Sequence, residues 1–315
     1  MLSHRTVFNE YIVPATMETF AEQVRLFNGA SNGAIILDAS NFRGDFVEQA
    51  FFDSLIGAQR RVDRYTPNTA VAQTEITDHT QTGVKVAGGF GPIVYEPSTM
   101  TWLNEPTARG IEIASRNFAD ALLYDQINTA LNATIAAISG NSAAVYGSPT
   151  KELTYDVINM AHACFGAASG SIIVDVMNGL QYHKFISKNL ANAATLFNAG
   201  NVQVVDILGK KVVVVDAPSL TATDGSQRVL GLTRGAVTVG DSGDIITNVD
   251  TKNGKQRIET TFQADYTFTV GIKGYSWDQT TGGKSPLDAE LATSANWERI
   301  ASSIKTTAGV LAIGK

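Results

Sequence analysis

The sequence predicts an α+β chain built from an extended N-terminal arm, a projecting β-hairpin loop, a very long helix, a compact α/β unit and a long-stranded β segment. Three observations carry that prediction. Residues Thr107 to Ser139 contain no proline and a single glycine near their start, with Ile111, Ala114, Phe118 and Leu122 down one face and Ile127, Leu131 and Ile135 continuing it. At 1.5 Å per residue such a helix is roughly 50 Å long, more than the width of most small domains. The stretch from Arg60 to Trp102 is rich in Thr, Val and Gly and has almost no helical period. From Lys151 helix and strand patterns alternate until Asp224-Gly225, and all-β text follows.

Taken in order, Met1 to Pro14 has no clear period and reads as an arm. Thr16 to Phe27 sets Met17, Phe20, Val24 and Phe27 at helical spacing, and Asn28-Gly29 is a suitable helix end because glycine accepts the left-handed cap conformation. Ile35 to Leu37 reads as a short strand, and Asp45 to Ala58, with Phe46, Ala50, Phe51 and Leu55, as a second helix. Within residues 60–102, Val71 to Glu75 and Val84 to Val86 read as two strands around a turn at Asp78 to Gly83. This segment lacks a large apolar face, so it needs another surface to pack on. In the long helix Asn117, Asn128 and Asn132 predict one polar side.

Thr154 then serves as an N-cap, with Leu153 and Ile158 placed as a hydrophobic staple, on a helix that buries Val157, Ala161 and Cys164. A strand at Ile172 to Val176, a helix around Leu180 to Leu190, and strands Val202 to Leu208 and Lys211 to Val215 follow, the last two turning at Gly209-Lys210. The β segment reads as Val229 to Thr238, Ile245 to Val249 and Arg257 to Tyr275, with turns at Asp241 to Gly243 and Asn253-Gly254. A helix from Ser285 to Trp297, carrying Leu287, Leu291 and Trp297 inward, and a strand Gly309 to Ile313 close the reading.

Composition excludes several functions. The 315 residues are 44% apolar and 17% charged, with a net charge of −6. That balance suits a protein that buries surface against its own copies and offers no strongly basic face for nucleic acid. Cys164 is the single cysteine, which removes any intramolecular disulfide or cysteine-based zinc site. No early apolar run has a basic flank, and no apolar run approaches the ~20 residues of a membrane helix, so a soluble, cytosol-made protein is expected.

The motif search points away from chemistry. Gly282-Gly283-Lys284-Ser285 resembles the end of a phosphate loop, but the required earlier glycine is Asp278, whose carboxylate would repel phosphate. Ser285-Pro286-Leu287-Asp288 reads instead as helix-start grammar. Cys164 with His183 is a thinkable thiol and base, although Cys164 falls on an apolar helical stripe and His162 points to another face. His4, His79, His162 and His183 are scattered without metal-ligand spacing, and Asp241, Asp244 and Asp250 lack calcium-loop periodicity. Arg43-Gly44-Asp45 and the glycosylation-type triplet at Asn132 are chance matches in structural contexts. No catalytic, cofactor-binding or metal residue is assigned.

The order of arm, extended loop, long helix, α/β unit and β segment resembles the tailed-phage (Caudoviricetes) major capsid proteins of the Hong Kong ninety-seven fold. The stretches carrying the resemblance are FNGASNGAIIL, GDFVEQAFFDSL, RRVDRYTP, VKVAGGFGPIVYEPSTMTWL, VMNGLQYHKFISKNL, VVDILGKKVVVVDAP, LTRGAV and SPLDAELATSANWERI, in that order along almost the whole chain. The resemblance implies an N-terminal arm and helices over 1–59, an extended loop over 60–105, a peripheral domain with a spine helix over 106–150 and 230–280, and an axial domain over 151–229 and 281–315. It implies hexamers and pentamers of an icosahedral virion shell around double-stranded DNA, made in the host bacterial cytoplasm, with no cofactor and no membrane. Separate scaffolding, portal and decoration proteins are the implied partners, scaffolding being separate because the arm-like segment begins at Met1. Arg60, Arg61, Arg64, Lys85 and Trp102 are then the candidate inter-subunit contacts. Some members join a loop lysine covalently to a neighbour's asparagine; Lys85 lies in the loop, and the sequence favours an ordinary surface lysine. The rival readings are an encapsulin-type compartment shell and, from another class, a soluble cysteine hydrolase.

Overall fold

The structure is a computed structural model, which describes residues 12–38, 44–52, 60–65, 67, 70, 78–95, 108–189, 193–199, 202–207, 210–253 and 259–315. In chain order these form helix α1 (Val13–Ala30), strands β1 (Ile35–Asp38), β2 (Phe46–Phe52) and β3 (Asp78–Tyr95), helix α2 (Ala108–Ser139), strand β4 (Val145–Gly147), helix α3 (Tyr155–Ala163), strand β5 (Ile172–Met177) and helix α4 (Gly179–Asn189). Strands β6 (Ala193–Ala199), β7 (Val202–Ile207), β8 (Lys210–Val215), β9 (Gln227–Thr233), β10 (Val237–Lys252), β11 (Glu259–Ile272) and β12 (Tyr275–Trp277) follow. The single-turn helix α5 (Asp288–Leu291) and strands β13 (Trp297–Arg299) and β14 (Gly309–Gly314) complete the order.

Two main sheets share one helix. The first has five strands in the order β1-β10-β11-β3-β2, parallel only between β1 and β10. The second has seven in the order β4-β14-β9-β5-β8-β7-β6 and is mixed, with β5 parallel to β8 and β14 parallel to β4. Helix α2 runs against both. Alternation sorts most side chains of the seven-stranded sheet, with a register shift in β5 between Ile172 and Val174. Val213 and Val215 of β8, Val174 and Val176 of β5 and Leu230 and Leu232 of β9 join the α2 core, which also holds Val237, Phe268 and Val270 of the five-stranded sheet. Val212 and Val214, Ile172 and Met177, and Val229 face the opposite side, under α3 and α4 with Phe165, Tyr182 and Phe185.

The C-terminal half of α2 is enclosed all round: Ala130, Leu131, Ala133, Ile135, Ala136, Ala137 and Ile138 are all buried. The expected polar side is therefore confined. Asn117 is exposed, but Asn128 and Asn132 are half-buried, and Asn132 Nδ2 donates to the Asp288 carbonyl at 3.0 Å. The many alanines explain how a helix can be packed on every side, because small side chains let both sheets come close. Aromatic rings lock the other half in place. Phe118 of α2 meets Phe90 of β3 and Phe262 of β11, with centroids 5.9 and 5.6 Å apart.

Several local expectations are corrected. Residues 45–52 are not helical: β2 pairs antiparallel with β3 from Phe46↔Val84 to Phe52↔Asp78. The spacing of Phe46, Ala50 and Phe51 suits a helix, but FVEQAFF is equally rich in strand formers, and pairing with β3 decides between them. The turn expected at Asp78 to Gly83 lies inside the continuous strand β3. Val71 to Glu75 lie outside the described residues. The turn expected at Asp241 to Gly243 is a bulge within β10, where the register shifts between Asp241 and Ile245. Ser242 Oγ bonds across it to the Thr267 carbonyl at 2.8 Å.

Helix α1 opens at Val13-Pro14, inside the expected arm, of which residues 1–11 lie outside the described residues. Met17 is half-buried beside the buried Phe20, Val24 and Phe27. The helix runs past Gly29, and the left-handed positions are Asn32 and Gly33. Asn28 ties its end to β1, donating to the Leu37 carbonyl at 2.6 Å and accepting from the Leu37 N–H at 3.0 Å. Thr154 precedes α3 without a side-chain capping bond; Ile158, Ala161 and His162 are buried, while Val157 and Cys164 are half-buried. Lys210 pairs with Ile207 and belongs to β8, and the rest of the turn expected at Gly209-Lys210 lies outside the described residues. The expected helix from Ser285 to Trp297 shrinks to α5. Glu290 accepts from the Leu287 N–H at 2.8 Å, Leu287 points outward at 73% exposure, and Trp297 belongs to β13. Leu291 and Trp297 are buried in the α2 core as expected. Strand β9 runs across the expected boundary at 229–230, and β4 joins the seven-stranded sheet.

Candidate assembly interface

Strands β2 and β3 form a two-stranded ribbon at the edge of the five-stranded sheet, anchored where Gln81 Oε1 accepts from the Gly274 N–H and the Thr82 N–H donates to Ser276 Oγ, each at 3.1 Å. β3 pairs with β11 from Val84 to Tyr95 and with β2 from Asp78 to Val84, so β2 is an edge strand whose Glu48, Gln49 and Ala50 are exposed. The chain between these strands carries Arg60, Arg61 and Arg64, all exposed, with Tyr65 at 99% and Val62 at 64% exposure. Arginine and tyrosine are the residue types that dominate protein interfaces, and a fully exposed tyrosine lacks any packing role within its own subunit. Asp63 accepts from the Tyr65 N–H at 2.9 Å, which shapes the segment locally.

Lys85 lies in β3, the strand that Val84 to Val86 predict. It is half-buried, opposite Thr269 of β11, and its N–H donates to the Asp45 carbonyl at 3.1 Å. It stands at the root of the ribbon. Trp102 lies outside the described residues.

Beside that root is an acidic cleft of about 450 Å³, lined by Gly89, Phe90, Asp120, Tyr124, Asp125 and Tyr266. Glycine is required here, because a Cβ on Gly88 would stand 2.7 Å from the Tyr266 ring. The Tyr266 hydroxyl donates to Asp125 Oδ2 at 2.6 Å, and Tyr124 donates to the Asp216 carbonyl at 2.8 Å. Burial raises the Asp125 carboxyl above its ordinary value, outweighing the opposing Tyr266 hydrogen bond. Burial and the Asp125 partner push the Tyr266 hydroxyl far upward. Asp120 accepts from Gln23 of α1 at 2.5 Å. This cleft carried no signal in the sequence, since its residues come from α2, β3 and β11.

The chemical motifs resolve into structure. Gly282 has no side chain because the Trp277 ring occupies that space; a Cβ would stand 2.2 Å away. Gly283 takes a positive φ of 74°, and its carbonyl accepts from Trp277 Nε1 at 3.0 Å. Asp278 accepts from the Thr281 hydroxyl and from the N–H groups of Thr280 and Thr281, which together lower its pKa. The Gly-Gly-Lys-Ser stretch is thus a cradle for Trp277, whose ring meets Trp297 edge-on at 4.9 Å. Cys164 donates to the Met160 carbonyl at 3.7 Å, and burial raises its pKa, the opposite of what a thiol nucleophile needs. His183 lies against the Tyr182 ring. Among the described residues no group of His, Cys, Asp and Glu suits a metal ion, and no helix is long and apolar enough to cross a membrane.

One polar cluster escaped sequence reasoning. His162 Nε2 lies 2.7 Å from Asp175 Oδ1, and Lys210 Nζ lies 2.8 Å from His162 Nδ1. The three residues are far apart in sequence and come from α3, β5 and β8, so only the tertiary fold assembles them.

Comparison with known proteins follows the same direction. A family model described as major capsid protein 13-like (Gp13-like) matches residues 5–311. Among solved structures, one from Mycobacterium phage Adephagia is 12% identical, with 91% of this chain and 89% of that chain covered and a TM-score of 0.49. The Cyanophage Pam1 capsid asymmetric unit is 11% identical, with 89% and 87% covered and a TM-score of 0.48. The capsid of Ralstonia phage GP4 is 14% identical, with 78% and 84% covered and a TM-score of 0.43. No curated protein matches the chain.

Proposed function

The chain belongs to the major capsid protein 13-like family, and from that premise we propose how it builds a shell. It is a capsid shell protein of the tailed-phage type, a structural component of the virion. Copies form hexamers and pentamers that close into an icosahedral shell around double-stranded DNA, held without sequence-specific contacts. The five-stranded sheet with α2 serves as the peripheral domain, and the seven-stranded sheet with α3 and α4 as the axial domain, with the boundary shifted to the turn after β9 at Arg234-Gly235. Synthesis takes place in the host bacterial cytoplasm. Scaffolding, portal and decoration proteins act as separate partners. The protein carries no catalytic activity, a reading supported by the half-buried Cys164 thiol, whose pKa is raised by desolvation.

The single observation that carries this reading is the family match across nearly the whole chain. The ribbon supports it. Edge strand β2 and the exposed Arg60–Tyr65 segment offer a surface that a neighbouring subunit covers. Arg60, Arg61 and Arg64 are the proposed contacts, with Lys85 supporting the ribbon at its root and Trp102 further along the same segment.

Negative-stain electron microscopy and sizing of the expressed chain, alone and with the other virion proteins, test the proposal. Shells, tubes or five- and six-membered rings are expected. A monomer that never assembles, even beside its scaffold, overturns it. Shells that recruit an enzyme cargo instead of DNA would point to a compartment protein.

A further inference from the structure

The His162 cluster borders an open cavity of about 640 Å³ on the α3 face of the seven-stranded sheet. Its polar lining comes from Asn32, Asn159, His162, Ser169, Lys210 and Lys211, and the described lining includes no aspartate or glutamate. Asp175 lies behind the imidazole at 4% exposure and is shielded from the cavity by it. A lysine ammonium only donates, so the Lys210 contact requires His162 Nδ1 to accept. The imidazole is then neutral, and its Nε2–H donates to Asp175. Gly231 makes this possible: a Cβ there would stand 2.9 Å from His162 Nε2, so only glycine lets the ring lie on the sheet.

The arrangement fixes Lys210 at the cavity wall. One of its three N–H groups is used on His162, and the other two meet no acceptor among the described residues. The described lining carries Lys210 and Lys211 and no carboxylate. A positioned ammonium, a second lysine beside it and amide and hydroxyl donors around a concave wall are the chemistry that recognises a phosphate group. The fixed lysine also reduces the ordering cost of binding.

We propose that this cavity binds a phosphate group, presented either as the free anion or as the phosphodiester of a nucleic acid backbone. The site is separate from the ribbon, and its test does not depend on shell formation. The full chain, kept in one assembly state, is titrated calorimetrically with inorganic phosphate at constant ionic strength. A second titration uses a single-stranded oligonucleotide without a terminal phosphate. Saturable binding is expected, weakened about tenfold by Lys210→Met and by Lys211→Met, the change that follows loss of one charge-assisted hydrogen bond. Lysine-dependent binding of phosphate identifies the free anion as the ligand source, and lysine-dependent binding of the oligonucleotide identifies the backbone. Thermal melting checks each variant, and Lys211→Met decides the matter if Lys210→Met does not fold. Binding in neither titration, binding indifferent to the folded lysine variants, or displacement by acetate as effective as by phosphate overturns the proposal.

Discussion

The two sheets differ in what covers them. The seven-stranded sheet is packed on both faces, by α2 on one side and by α3 and α4 on the other, and its central strands feed two apolar cores. The five-stranded sheet is packed on α2 through Phe262, Tyr266 and Phe268, while its opposite face shows Gln263 and Asp265 and β2 forms an exposed edge. One sheet has helices on both faces; the other keeps a face and an edge open, which is the surface proposed above for association.

The largest effect is expected where the comparison is sharpest, under α3. Phe165 is fully buried there, and Phe165→Ala should lower unfolding free energy by about 3–5 kcal/mol, measured by denaturation of the unassembled subunit. A loss under 1 kcal/mol would mean that this unit is not the stability core. Next comes Gly88→Val, at the ribbon's root. The Tyr266 ring is held by its bond to Asp125 and has little room to retreat, so a cost of about 1–3 kcal/mol is expected. An unchanged melting temperature would show that β3 yields locally instead.

Asp125→Asn should have a smaller effect, visible as a change in pH dependence. The raised pKa of Asp125 means that the folded chain holds a proton that the unfolded chain has released, so stability falls as pH rises from the unfolded toward the folded value. Asparagine still accepts from Tyr266 and cannot ionise. Its stability should be flatter than wild type as pH rises above the ordinary aspartate value, read from denaturation midpoints. Parallel pH profiles would contradict the burial argument. The smallest effect on folding belongs to Arg60→Ala/Arg61→Ala/Arg64→Ala, expected within about 0.5 kcal/mol because all three side chains are exposed. Shell yield by sizing should nevertheless fall markedly. Full-yield shells from this triple variant would remove these arginines from the interface.

The sequence was most legible where a single local rule acted over many residues. Helix α2 has a sustained period without breakers, and its predicted and observed bounds agree within one residue at the start and coincide at the end. The strands around Val212 to Val215 and Gly309 to Ile313 were equally plain. Legibility failed where distant partners chose between two local options. Phe46 to Phe52 fits either period, and only β3 settles it. Asp241-Ser242-Gly243 has turn composition, but Gln126 Nε2, 3.2 Å from Asp241 Oδ2, and Thr267 hold it as a bulge. Ser285-Pro286 has the grammar of a helix start, and the helix begins two residues later and lasts one turn.

The candidate interface divides in the same way. Arg60, Arg61 and Arg64 were visible as a charge cluster, because exposure is a local consequence of composition. Lys85 was legible as part of a strand, but nothing local reveals that β3 runs for 18 residues through the turn expected at Asp78 to Gly83. The acidic cleft and the His162–Asp175–Lys210 cluster required three elements each, and no one-dimensional pattern encodes that meeting.

Helix α2 has a mechanical consequence. Its side chains interdigitate with both sheets in one continuous apolar cluster, and 32 residues give a rod about 48 Å long. The two sheets are therefore geared to a common shaft. A pull on the ribbon loads the shaft along its length, and densely packed rotamers pass that load to the far sheet with little slack. A subunit built this way resists tension as a single stiff part, and compliance must come from the joints between copies.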